Sequence, residues 1–142
     1  MIASAAPLIF VVLAIAGLGV TGNLFSSSPF VIAAQVVAVG LNVWARISFK
    51  RGTFRITAAP SGTSIITLGP YRVIRHPMYS AVLLFVWAGV ASHLSAWTLA
   101  IGLAVTAVCI TRVIVEERLL RARFPEYLAY SRSTKALIPF VF

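Results

Sequence analysis

No Asp, Glu, Lys or Arg occurs in the first 45 residues. A charge-free run of that length cannot supply a soluble surface, so it confines the chain to folds whose outer face meets lipid. The rest of the composition agrees: 60% of the 142 residues are hydrophobic and mean hydropathy is +0.97. At this length one domain is expected. The net charge of +9 invites a nucleic-acid partner, but its distribution argues against one. The cations cluster at Arg46 to Arg55, Arg72 to Arg75 and Arg118 to Lys135, in the connections between apolar stretches. That is the pattern of a membrane protein with positive loops on one side. Cys109 is a lone mid-span cysteine, so no disulfide framework exists.

Crossing the hydrocarbon core takes about 20 apolar residues. Four stretches fit: Ala3 to Val20, Pro29 to Phe49, Tyr79 to Ala91 (extendable back to Pro77) and Ala96 to Val115. The first fits a secretory signal poorly, because the basic n-region is missing. Ser92-His93-Leu94-Ser95 joins the last two in a tight antiparallel hairpin. The expectation is an all-α integral membrane protein of four transmembrane helices plus a C-terminal interfacial helical segment. It is one domain over 1–142, with two spans in 1–49 and the functional core in 60–142. Lys50 to Met78 and Glu116 to Phe142 carry nearly all the positive charge, so both termini belong in the cytoplasm. Lys50 to Leu68 reads as an irregular surface segment. Leu119, Leu120 and Phe124 interleave with Arg118, Arg121 and Arg123 as in a helix lying at the interface. Pro125 breaks that helix and starts a short one through Tyr130. Ala136 to Phe142 is apolar enough to fold back on the spans.

The chemistry concentrates in two places. Gly69-Pro70-Tyr71-Arg72-Val73-Ile74-Arg75-His76-Pro77-Met78-Tyr79-Ser80 precedes the third span, and Arg112-Val113-Ile114-Val115-Glu116-Glu117 ends the fourth. Both fall at the same membrane edge, where ionisable groups are costly and therefore point to function. Pro77 suits a helix first turn, whose free N–H groups attract anions, and Arg75 and His76 reinforce that attraction. Arg112 and Glu116 share a helix face. Glu116 suits an ammonium, Arg112 a carboxylate or phosphate, and Tyr71 and Tyr79 offer faces to a cation. S-adenosylmethionine combines an ammonium, a carboxylate and a sulfonium.

Gly69-Pro70-Tyr71-Arg72-x-x-Arg75-His76-Pro77-x-Tyr79, then Arg112-x-x-x-Glu116-Glu117-x-x-Leu120, then Phe124-Pro125-Glu126-Tyr127-x-x-Tyr130, resembles the isoprenylcysteine carboxyl methyltransferase and phospholipid methyltransferase superfamily. The likeness runs from about Thr63 to Pro139. It implies an integral-membrane, S-adenosylmethionine-dependent methyltransferase. By that resemblance Tyr71, His76, Pro77, Met78, Tyr79 and Glu116 line the cofactor pocket, Ile65 and Ile66 border it, and Arg112 belongs to the methyl acceptor. Phe124-Pro125-Glu126-Tyr127 is one residue shorter than the common Phe-Gly-x-Glu-Tyr. Thr63 stands where eukaryotic carboxyl methyltransferases carry His, so acceptor identity does not carry over.

Arg75 reads as part of the cofactor site and Arg72 as a positive-inside anchor. The expected acceptor is lipophilic and arrives from the bilayer. An isoprenoid-like or other lipid carboxylate leads, because Arg112 suits an anion. A phospholipid amine or a thiol is the alternative, and would need a base, for which His76 and Glu117 are the options. A non-enzymatic membrane scaffold that kept the pocket is the other class. Gln35, Asn42 and Arg46 share one face of the second span and suit hydrogen bonding within the bundle, with contact to the substrate as the alternative. His93 reads as a turn residue, Cys109 as core, and Trp44, Trp87 and Trp97 as packing or belt residues. There is no metal-ligand spacing and no Gly-rich loop of the soluble methyltransferase type.

Overall fold

The computed structural model describes residues 6–52 and 65–138. Within them the chain is all helical: α1 (Ala6–Val20), α2 (Pro29–Gly52), a 3₁₀ turn (Gly69–Arg72), α3 (Pro77–Ser92), α4 (Ala96–Arg123) and α5 (Tyr127–Ser133). An isolated parallel bridge joins Ile74 to Lys135. Thr63, most of the Lys50 to Leu68 connection and the last four residues lie outside the described residues.

Local chemistry sets the boundaries. Pro29 and Pro77 each open a helix, where the missing N–H has no intrahelical partner to lose. α1 ends on Gly22 at φ 70°, with Asn23 N donating to Leu18 O at 2.8 Å; glycine takes that left-handed conformation at no steric cost. α4 starts from a reciprocal cap: Thr98 N donates to Ser95 Oγ at 3.1 Å and Ser95 N to Thr98 Oγ1 at 3.0 Å.

α4 differs from the sequence expectation. Instead of stopping at Val115 before a separate interfacial helix, it runs unbroken to Arg123. The segment Glu116 to Arg123 consists of good helix formers plus alanine. Termination waits for Phe124, which the following proline drives to extended φ −120°, ψ 105°. The last turns of α4 therefore project past its apolar part, carrying Glu116, Glu117 and three arginines with them.

The core joins α1, α3 and α4 through Val11, Leu18, Val86, Val90, Val105 and Cys109, with Leu24 closing one end. α2 packs along α3. At Gly89 an added Cβ would come within 2.8 Å of Leu24 O, so only glycine admits this approach of α3 to the α1–α2 turn. Gln35 Nε2 donates to the same Leu24 carbonyl at 2.7 Å, satisfying a buried amide inside the bundle. Asn42 accepts from Arg46 Nε at 2.7 Å. The outward faces are apolar instead of charged: Leu8, Leu13, Val36, Val37 and Leu103 are all well exposed. With 24-residue α2 and 28-residue α4 long and apolar enough to cross a bilayer, this is the surface of a membrane protein. α1 and α3 are shorter, at 15 and 16 residues.

Beyond α5 the chain folds back, as its apolar composition predicts. Ala136 and Leu137 bury against Val113, Tyr79 and Leu83.

Candidate functional site at the ends of α3 and α4

The segment before α3 is held from three directions. Gly69 turns the chain at φ 59° and packs so tightly on α2 that a Cβ would fall 2.1 Å from Ser48 Oγ and 3.1 Å from Trp44 Nε1. Tyr71, next in the 3₁₀ turn, is buried, with its ring 6.4 Å from that of Phe49. From the other side the tail runs parallel to it. Lys135 N donates to Val73 O at 3.1 Å, Arg75 N to Lys135 O at 2.8 Å and His76 N to Ala136 O at 3.0 Å. Ser80 Oγ donates to Leu137 O at 2.5 Å, and Tyr130 Oη to Tyr71 O at 2.6 Å.

Two consecutive glutamates of α4 then serve different neighbours. Glu116 Oε1 accepts from Tyr79 Oη at 2.5 Å and from Arg112 Nη2 at 3.1 Å, while Arg112 Nε donates to Tyr79 Oη at 3.2 Å. These three side chains close a triangle joining α3 to α4. Glu117 Oε1 accepts from Arg75 Nε at 2.7 Å, and its Oε2 from Arg121 at 2.9 Å. The buried His76 ring sits between the two carboxylates, Nδ1 3.7 Å from Glu116 and Nε2 3.4 Å from Glu117. The second approach is close but not aligned as a hydrogen bond. His76 Nε2 and Tyr71 Oη are buried polar atoms without a hydrogen-bond partner among the described residues.

Electrostatics separates the roles. The His76 imidazole, then the Arg75 guanidinium, hold the Glu117 carboxyl down at about 2 against the opposite pull of burial. Glu117 is thus held ionised between Arg75 and Arg121. Burial pushes the Tyr71 hydroxyl up to about 12, so it stays a neutral donor.

Tyr71, Arg75, His76, Pro77, Met78, Tyr79, Arg112, Glu116 and Glu117 all converge at this end of the bundle. Ile65 and Ile66 lie half-buried just ahead of the 3₁₀ turn. Two features differ from the sequence expectation. Arg75 is turned inward: besides Glu117, its Nη1 donates to the carbonyls of Ser131, at 2.9 Å, and Thr134. The anion-attracting amides at the start of α3 are also largely taken. Pro77 has none, His76 N goes to the tail, and Tyr79 and Ser80 bond back to His76 O.

A family model described as phospholipid methyltransferase matches residues 28–127, well over half of the chain. The chain belongs to the phospholipid methyltransferase family. Among curated relatives it is 34% identical over 77 residues to the cobalt-zinc-cadmium resistance protein CzcN of Cupriavidus metallidurans, a match covering 54% of this chain and 36% of that protein. It is 33% identical over 79 residues to the nickel-cobalt-cadmium resistance protein NccN of Alcaligenes xylosoxydans xylosoxydans, covering 54% of this chain and 37% of that one. The chain thus spans little more than a third of the curated relatives it matches. No solved structure matches it. Among the described residues of this methyltransferase-family chain, no group of three or more His, Cys, Asp or Glu comes together to hold a metal ion.

Sequence reasoning missed the tail's part in this site. Thr134, Lys135 and Ala136 form one edge of the His76 segment through backbone groups, and Tyr130 caps the Tyr71 carbonyl. A single parallel bridge leaves no periodic signature. The one available signal was the Tyr127-x-x-Tyr130 pair, whose polar tips require partners when buried.

Proposed function

We propose that the chain is an S-adenosylmethionine-dependent methyltransferase acting on a lipophilic acceptor, with a lipid carboxylate as the leading class. The observation that carries this reading is Glu116. One of its oxygens is held by Tyr79 and Arg112, and the other has no donor within hydrogen-bond reach among the described residues. A carboxylate held in that way at the end of an apolar helix suits an ammonium. The residue set fits the cofactor's head in other respects as well. Tyr71 Oη and His76 Nε2 are buried and lack a hydrogen-bond partner among the described residues, a cost that a polar ligand removes. Tyr79 adds an aromatic face beside them.

When bound, S-adenosylmethionine supplies a methyl group already activated by its sulfonium. The protein's contribution is then to position the acceptor and keep water out. Arg112, at the last apolar turns of α4, supplies the positive charge that orients a carboxylate, while its Nε and Nη2 hold Tyr79 and Glu116. Such an acceptor has no proton to lose. For an amine or thiol, His76 is the group available to take the proton, because Glu117 is committed to Arg75 and Arg121. We read α1 to α4 as four membrane crossings with both termini and the site on the cytoplasmic side, and the bilayer thinned around the short α1 and α3. The metal-resistance names belong to proteins of which this chain covers about a third, and they supply no acceptor.

The test is incubation of purified protein with methyl-labelled S-adenosylmethionine and a membrane lipid extract, followed by mass identification of the labelled product. A labelled lipid ester is expected. Label confined to water-soluble thiols overturns the lipid acceptor. No label, together with no calorimetric heat from S-adenosylhomocysteine, overturns the enzyme reading in favour of a scaffold.

A further inference from the structure

Beside Glu117, the end of α4 and the returning tail line an open cleft of about 500 Å³ that neither His76 nor Glu116 lines. Arg118, Arg121, Arg132 and Lys135 line it, with Val113 and Ile114 one to two turns earlier on α4. The one acidic group on its wall, Glu117, already accepts from Arg75 and Arg121 through both oxygens. The cleft is therefore strongly cationic at one end and apolar at the other.

Its position says what kind of anion it suits. Ile110, Ile114, Arg118 and Arg121 fall at i, i+4, i+8 and i+11 on α4, one continuous stripe, and all four are exposed. The apolar run of α4 ends at Val115, so the stripe changes from isoleucine to arginine where hydrocarbon gives way to headgroups. A soluble anion uses only the cationic end. An amphiphile uses both, with its chain along Ile110 and Ile114 and its phosphate among the cations.

We infer that this cleft binds the phosphate of an anionic phospholipid from the surrounding leaflet, at a site separate from the Glu116 cluster. Charge complementarity selects an anionic over a zwitterionic headgroup, because five cationic side chains line the cleft against one acid. The proposal does not depend on methyl transfer.

The test uses the full chain in neutral detergent. It is titrated with fluorescently labelled phosphatidylglycerol and with phosphatidylcholine carrying the same label, each with and without millimolar inorganic phosphate. Saturable binding of phosphatidylglycerol, well above that of phosphatidylcholine and resistant to inorganic phosphate, is expected. The double variant Arg118→Gln/Arg132→Gln, which touches neither Glu116 nor Arg75, should weaken phosphatidylglycerol roughly tenfold at unchanged thermal stability. Equal binding of the two lipids, or an unaffected double variant, overturns the site. Displacement by inorganic phosphate overturns the lipid as its occupant. If the double variant loses stability, Arg132→Gln alone decides by the same comparison. S-adenosylhomocysteine binding is read separately, so its failure counts against the methyltransferase reading and not against this one.

Discussion

Arg75 and Glu117 stand 42 positions apart in the chain and 2.7 Å apart in space, Nε to Oε1, with both side chains nearly buried. The same guanidinium reaches the carbonyls of Ser131 and Thr134. One residue therefore ties the segment before α3 to the end of α4 and to the tail. Because His76 follows Arg75 directly, this tie fixes where the imidazole stands between Glu116 and Glu117.

Removing that tie should be costly. Arg75→Ala leaves Glu117 short of a charge partner and frees two tail carbonyls, and breaking a buried pair from one side costs about 3–5 kcal/mol. Arg75→Lys should recover only part of it, since an ammonium cannot reproduce the guanidinium fork. Thermal unfolding in detergent reads the loss, and protease cleavage after Arg132 or Lys135 should accelerate. An Arg75→Ala protein as stable as wild type, with an uncut tail, would disprove the tie.

Gly69 offers an independent test of how α2 supports the site. Its positive φ and its contact with Ser48 and Trp44 both exclude a side chain. Gly69→Ala should cost about 1–2 kcal/mol from backbone conformation alone, with displacement of Ser48 added. Gly69→Ala combined with Ser48→Gly should regain the steric part and keep the backbone part. If the double variant is no more stable than Gly69→Ala, the close contact with α2 is not what makes glycine necessary.

Glu117 also gives a pH signature. Its folded pKa lies below the ordinary carboxylate value of 4.5, at about 2, so the unfolded chain binds its proton first as pH falls. The stability it contributes is fully present above 4.5 and drains away as pH falls toward 2. Compared in detergent between pH 7 and pH 3, wild type should exceed Glu117→Gln at neutrality, and the gap should narrow below pH 4.5. Parallel curves over the whole range would mean that the ion pairs with Arg75 and Arg121 add nothing.

Much of this architecture was legible because it rests on local rules. The charge-free opening, Pro29 and Pro77 at helix starts, the hairpin at His93 and the apolar tail each follow from a few adjacent residues. Gln35 was legible as a bundle hydrogen bonder because a polar group on an apolar helix must find a partner inside. The convergence of Tyr79, Arg112 and Glu116 followed from hairpin geometry. What stayed hidden depends on pairings between distant residues. Nothing around Arg75 says that its partners are tail carbonyls, and nothing around Lys135 says that it pairs beside Ile74. The unbroken run of α4 to Arg123 is not marked by hydrophobicity, which ends at Val115, but by the absence of any breaker from Glu116 to Arg123.

Topology is directly testable. With four crossings and a cytoplasmic site, reporter fusions at Asn23 and Ser95 should read external and one at Gly62 internal, as the positive-inside distribution requires. Ser95 and Gly62 reading on the same side would separate the cluster before α3 from the one ending α4 across the membrane, which the Tyr79–Glu116 contact at 2.5 Å forbids. Such a result would therefore count against the fold as well as the orientation.

The last prediction divides the triangle of Tyr79, Arg112 and Glu116 by function. Glu116→Gln removes the charge that an ammonium would meet. It should weaken S-adenosylhomocysteine binding by about 2 kcal/mol, the lower end for truncating a desolvated pair, because Glu116 keeps 29% side-chain exposure. Arg112→Ala removes the proposed acceptor ligand but leaves that carboxylate and the Tyr79 hydroxyl bonded to each other. Turnover should fall by tenfold or more, roughly the effect of losing one charged orienting contact, while cofactor affinity changes far less. Calorimetry and single-turnover methylation on the same preparations separate the two effects. Equal loss of both in Arg112→Ala would move that arginine into the cofactor's own shell. Wild-type affinity in Glu116→Gln would move the ammonium elsewhere.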